Sequence, residues 1–147
     1  MFCISKTFAA SRLAKRLFPE LAQAGLLAGY AAVIGHIFPF YMGFKGGKGL
    51  AAFGGMILAA DWRIFCVLLT VGLGLILLTG RSVVLPVSVS LLFPVLLWLH
   101  TGSYADLAVA LAASLLVLIA HRGNIKKAFV QTDMPVKAYI KSKFFKI

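Results

Sequence analysis

Apolar runs follow one another along this chain with only brief polar or glycine-containing interruptions. The runs at 22–41, 64–79, 82–99 and 104–120 approach the roughly 20 helical residues that cross a bilayer, the second with help from its flanks. Residues 49–60, "GLAAFGGMILAA", are shorter and glycine-rich, which reads as a thin span or a half-helix shielded by neighbours. The opening segment 1–21 sets Arg12, Lys15 and Arg16 on a background of Phe, Leu and Ala, the pattern of a partial or interfacial helix. No repeat or linker breaks the series. The expectation is one all-α domain over 1–147, a polytopic helical membrane protein with five to six membrane helices.

Composition strengthens that picture. Of 147 residues, 61% are hydrophobic and 13% charged, with a mean hydropathy of +0.97, against roughly 45–50% apolar in a soluble domain. The net charge of +11 does not point to nucleic acid. The basic residues punctuate the ends of apolar runs and fill the segment 122–147 instead of forming an aromatic-interleaved face. Cys3 and Cys66 are too isolated to suggest a disulfide framework or a metal site, and no cofactor is expected. The first residues lack the long apolar stretch of a cleaved secretory signal.

Charge also sets a topology. Arg122, Lys126, Lys127, Lys137, Lys141, Lys143 and Lys146 face only Asp133 beyond His121, so the positive-inside rule makes 122–147 a basic cytoplasmic tail. Counting back places His100 to Tyr104 outside, Arg81 inside, Asp61 and Arg63 outside, and Lys45 and Lys48 inside if 49–60 spans. Three basic elements then share one face: "GFKGGKG", Arg81 and "HRGNIKK".

The loop "GFKGGKG" holds the first candidate chemistry. Gly43, Gly46, Gly47 and Gly49 lack Cβ atoms, so backbone N–H groups are free to converge on an anion, and a helix start follows directly. Lys45 and Lys48 add full charges, which makes a phosphate the natural ligand. The pattern is not a Walker A loop, because Met42 and Gly49 stand where glycine and Ser/Thr belong. The plainer alternative is a basic loop touching anionic lipid. In "HRGNIKK", His121 and Asn124 share a helical face and Arg122 pairs in spacing with Lys126, a set suited to orienting a hydroxyl and holding a phosphate. The competing reading is a helix end with basic residues on the dipole. His36 reads as a buried structural residue, and His100 lies in a charge-poor loop.

"GHIFPFYMGFKGGKGLA" and "HRGNIKKAF", with "LLTGRSVVLP" between them, resemble signature motifs of the bacterial acyl-phosphate-dependent glycerol-3-phosphate acyltransferases, the PlsY family. The resemblance runs from about Ala24 to about Asp133, and more loosely back to Lys6. It implies a seven-helix enzyme of the bacterial inner membrane, with its motifs and C-terminus cytoplasmic. That enzyme moves a fatty acyl group from acyl phosphate to the 1-hydroxyl of glycerol 3-phosphate, giving lysophosphatidic acid in phospholipid synthesis. Its partners are these two substrates and membrane lipids. By position, Gly43, Lys45, Gly46, Gly47, Lys48, Gly49 and Arg122 correspond to substrate-phosphate-binding residues, and His121, Asn124 and Arg81 to catalytic ones. The family's first helix and its S-x-N-x-G-x-x-N motif have no counterpart here, Val84 replaces a serine, and Gln131 to Asp133 replace a closing G-x-E. The expectation is therefore an N-terminally truncated member with little or no activity as this chain alone. The alternative is a non-catalytic membrane protein retaining an anion or lipid-phosphate site.

Overall fold

The computed structural model of the chain describes residues 2–40, 43 and 46–129. These residues form helices α1 Phe2–Leu17, α2 Ala24–Ile37, α3 Leu50–Ala60, α4 Trp62–Thr79, α5 Val84–Thr101 and α6 Tyr104–Phe129, with no strand among the described residues. Lys45 and the lysines at 137, 141, 143 and 146 lie outside the described residues. Among the described residues, three helices are long and apolar enough to cross a membrane: Trp62–Thr79, Val84–Thr101 and Tyr104–Ala128. Leu77 and Leu78 on α4 are 79% and 84% exposed, which suits a surface whose solvent is lipid. The chain is an all-helical membrane protein.

Local chemistry sets the boundaries. Asp61 accepts from the Arg63 N–H at 2.6 Å and opens α4, while Gly80 and Gly102, both at positive φ, close α4 and α5 by donating to the carbonyls of Ile76 and Trp98. Pro39 follows the end of α2, so the run read as 22–41 is helical only to Ile37. The run read as 104–120 errs the other way. Helix α6 continues to Phe129, because an α-helix needs unbroken backbone bonding and not apolar side chains, and Lys126 and Lys127 favour its C-terminal dipole.

The short helices are stacked at the centre. Phe53, Met56 and Ile57 of α3 are at most 1% exposed, packed with Val33 and Ile37 of α2, Leu68 of α4, Phe93 of α5 and Val117 of α6. Helix α1 lies against α2 and α3 through small residues. Ser11 meets Gly29, and a Cβ on Gly55 would strike the Ile4 carbonyl and press on Thr7. The segment 1–21 therefore contributes a packed member of the bundle.

Helix α3, about 16 Å long at 1.5 Å per residue, runs antiparallel to α2 from the Val33–Ile37 end to the Gly25 end. Helix α3 therefore reverses the direction of α2. One end of the bundle thus gathers the C-terminus of α2, the start of α3, the α4–α5 turn and the last turns of α6. Lys48, Arg81, Arg122, Lys126 and Lys127 lie at that end with no acid among the described residues. Glu20, Asp61 and Asp106 lie at the other, where Asp61 Oδ2 sits 3.1 Å from His100 Nε2.

Candidate functional site

The glycine loop is folded onto the end of α2. A helix leaves its last carbonyls unpaired, and here the N–H groups of Gly46 and Gly47 each donate at 3.2 Å to the carbonyls of Ile37 and His36. A Cβ on Gly46 would fall onto both of those oxygens and onto Pro39 Cδ. At Gly47 it would come within 2.5 Å of His36 Nε2. Gly49, at φ +78, opens α3 as its N-terminal flanking residue, and a Cβ there would meet Ile37 Cδ1 at 2.7 Å. Gly43, at φ +61, has open space around it. Two of the amides expected to converge on an anion are thus committed to α2. The glycines permit this close seating, and the donors left facing outward are the first-turn amides of α3, which helix geometry leaves unpaired. Lys48 is exposed beside them.

On α6 the inward stripe passes through Ala110, Ala113 and Val117, then reaches His121, Asn124 and Ala128 at the same spacing. His121 is 5% exposed, and its Nδ1 lies 2.8 Å from the Val117 carbonyl. A carbonyl can only accept, so Nδ1 carries the proton and Nε2 of the neutral ring is the acceptor nitrogen. Arg122 is on another face, exposed, where it borders an apolar groove of about 310 Å³ between Ile37 at the end of α2, the following Phe38, and Leu116 and Ile119 of α6. The sequence "HR" is also not a helix end, since α6 runs on for two further turns.

Arg81 reaches the same region from the α4–α5 turn. Its Nη1 donates to the Ala128 carbonyl at 3.1 Å, which ties the turn to the end of α6 across 47 residues. Arg81 also stands at the mouth of an apolar groove of about 350 Å³ between α5 and α6, with Val84, Val87 and Leu91 on one wall and Leu118 and Ile125 on the other. Val84, the first residue of α5, is part of that wall. The fold therefore brings Lys48, His121, Asn124 and Arg81 to one end, gives Arg122 a separate face, and leaves Lys45 outside the described residues. His36, read from the sequence as structural, stands against the loop itself. Its signal was the distance from Gly47 in space, which spacing along the chain does not encode.

The family model for glycerol-3-phosphate acyltransferases matches residues 2–131. A glycerol-3-phosphate acyltransferase of Synechococcus sp. is 38% identical over 108 residues, covering 74% of this chain and 54% of the relative. One of Brucella canis is 34% identical over 116 residues, covering 79% and 57%. The chain thus spans little more than half the length of these relatives. Among solved structures, the fold matches PlsY, an integral membrane glycerol 3-phosphate acyltransferase, in its glycerol 3-phosphate form with a TM-score of 0.84 at 24% identity, covering 90% of this chain and 66% of that one. The lysophosphatidic acid form of PlsY matches with the same TM-score, and at this identity both matches speak to the fold. The sequence motifs, the helical bundle and the match over residues 2–131 together place this chain in the glycerol-3-phosphate acyltransferase family.

Proposed function

We propose that the chain carries the phosphate-holding and proton-handling part of an acyltransferase that moves a fatty acyl group from acyl phosphate to the 1-hydroxyl of glycerol 3-phosphate. The observation that carries this reading is His121, buried on the inward stripe of α6 with Nδ1 tied to Val117 and Nε2 left to accept a proton. In the proposed reaction the glycerol hydroxyl oxygen attacks the acyl carbon and the carbon–oxygen bond to phosphate breaks. The hydroxyl proton passes to His121 Nε2, and phosphate departs as the leaving group. Acyl phosphate is already activated, so catalysis reduces largely to positioning and to stabilising anionic charge. Lys48, Arg81 and the first-turn amides of α3 supply that stabilisation, and Asn124 shares the face of His121 as a neutral donor. The apolar groove running from Arg81 between α5 and α6 suits an acyl chain whose phosphate end lies at the arginine. The basic end of the bundle, which has no acid among the described residues, suits the cytoplasmic side of a bacterial inner membrane.

The test compares the 147-residue chain with the same chain joined to the N-terminal part of a curated relative, both purified and given acyl phosphate and glycerol 3-phosphate. The joined protein is expected to form lysophosphatidic acid, and His121→Ala to lower its rate about 10²–10⁴-fold, the range for loss of a general base. The chain alone is expected to show little transfer. Retention of phosphate binding with no transfer in either format would favour the second reading, a non-catalytic site for a lipid phosphate.

A further inference from the structure

Three features around Gly47 converge on a residue that the reaction above does not use. The His36 carbonyl accepts the Gly47 N–H at 3.2 Å. The His36 ring lies with Nε2 as the atom nearest to where a Gly47 side chain would begin, at 2.5 Å, with Cδ2 and Cε1 both at 3.3 Å. The ring is half-buried, and no hydrogen bond joins it to another side chain among the described residues. The imidazole therefore occupies the space a side chain at 47 would take, in the loop one residue before Lys48 and three before the start of α3.

We propose that His36 is a phosphate-contacting residue, and that position 47 is glycine to seat its imidazole beside Lys48 and not to expose an amide. This inference rests on the reading of the loop as the phosphate site. The Gly47 amide is spent on α2, so a phosphate held by Lys48 and the α3 amides receives its next donor from the ring. Imidazole suits the task, because it gives an N–H to an anion and remains compact enough to lie over a glycine. Gln reaches about as far as Nε2 and also donates, whereas Ala removes the donor altogether.

Steric dependence between the two positions makes the test specific. Glycerol 3-phosphate and, separately, inorganic phosphate are titrated into the purified full chain in detergent, as wild type, His36→Ala, His36→Gln, Gly47→Ala and the double variant His36→Ala/Gly47→Ala. Thermal unfolding of each is recorded alongside. His36→Ala is expected to weaken glycerol 3-phosphate about tenfold, the loss of roughly one charge-assisted hydrogen bond. His36→Gln is expected to stay within about threefold of wild type if the amide replaces that donor. Gly47→Ala should match His36→Ala, because its methyl group displaces the ring, and the double variant should bind no worse than either single one, the sign of positions acting as a unit. Gly47→Ala should also unfold at a lower temperature than wild type, and removal of the ring in the double variant should restore part of that loss. Affinity of His36→Ala equal to wild type overturns the inference, as do additive losses in the double variant or a wild type that binds neither anion. A wild type that binds both anions with this His36 dependence, while the joined protein transfers no acyl group, overturns the acyltransferase reading and leaves the inference standing. Acyl transfer that persists with binding indifferent to His36 does the reverse.

Discussion

Gly46 and Gly43 belong to one short loop, yet a methyl group would meet different fates at the two positions. At Gly46 it would collide with two backbone carbonyls and the Pro39 ring, none of which can swing aside. At Gly43 it would enter open space, with only the strain of φ +61 to bear. Gly46→Ala is therefore expected to cost about 1–3 kcal/mol, as overpacking does, and to weaken phosphate binding with it. Gly43→Ala is expected to cost less and to leave binding nearly intact. Denaturation midpoints in detergent, paired with phosphate titration, separate the two. Equal midpoints would show that the loop is not seated on the end of α2 as described.

Helices α1 and α6 depend on contacts that their own sequences do not advertise. The end of α6 is held by Arg81 from the α4–α5 turn, so Arg81→Ala is expected to leave the Ala128 carbonyl without this partner and to speed amide hydrogen exchange in the last turn of α6. Exchange at the end of α2, which the glycine loop covers, should not change. If the last turn of α6 exchanges at the wild-type rate in Arg81→Ala, the clamp has no role in holding it. Helix α1 crosses α3 where Gly55 lies under the Ile4 carbonyl and Thr7. Gly55→Val forces those backbones apart and is expected to lower stability by about 1–3 kcal/mol, whereas Gly74→Val, with nothing within 4 Å, faces no such obstacle. Similar melting of the two variants would argue that α1 is not packed at this crossing.

Charge is distributed across the bundle in one sense. The end bearing Lys48, Arg81 and Arg122 has no acid among the described residues, while Glu20, Asp61 and Asp106 offset Arg12, Lys15, Arg16 and Arg63 at the other. The orientation proposed above, which follows the positive-inside rule, puts the first end in the cytoplasm. With Cys3 and Cys66 replaced, Ser103→Cys is expected to react with an impermeant thiol reagent in intact cells, and Ser82→Cys, exposed beside Arg81, only after the membrane is opened. The opposite labelling pattern would invert the arrangement and place the candidate site outside the cell.

Much of this protein is written in one dimension. Long apolar runs bounded by glycine and aspartate caps set α4 and α5, because a bilayer rewards about 20 uninterrupted apolar residues whatever their neighbours. The spacing of His121 and Asn124 on one helical face follows from the 3.6-residue repeat, and the concentration of lysine and arginine at alternate boundaries sets which ends lie together. Which donor meets which acceptor was decided only when the helices packed. The amides of Gly46 and Gly47 looked free in the sequence and are bound to α2, Arg81 looked free and holds α6, and His36 looked structural and stands over the loop. Arg122 and His121 are adjacent in sequence and face different surroundings, one an apolar groove at the surface and the other the core. Periodicity records how deeply each residue is buried along its own helix; the partners it finds there depend on where the helices cross, and that is set by glycines at 25, 29 and 55 whose contacts lie on other elements.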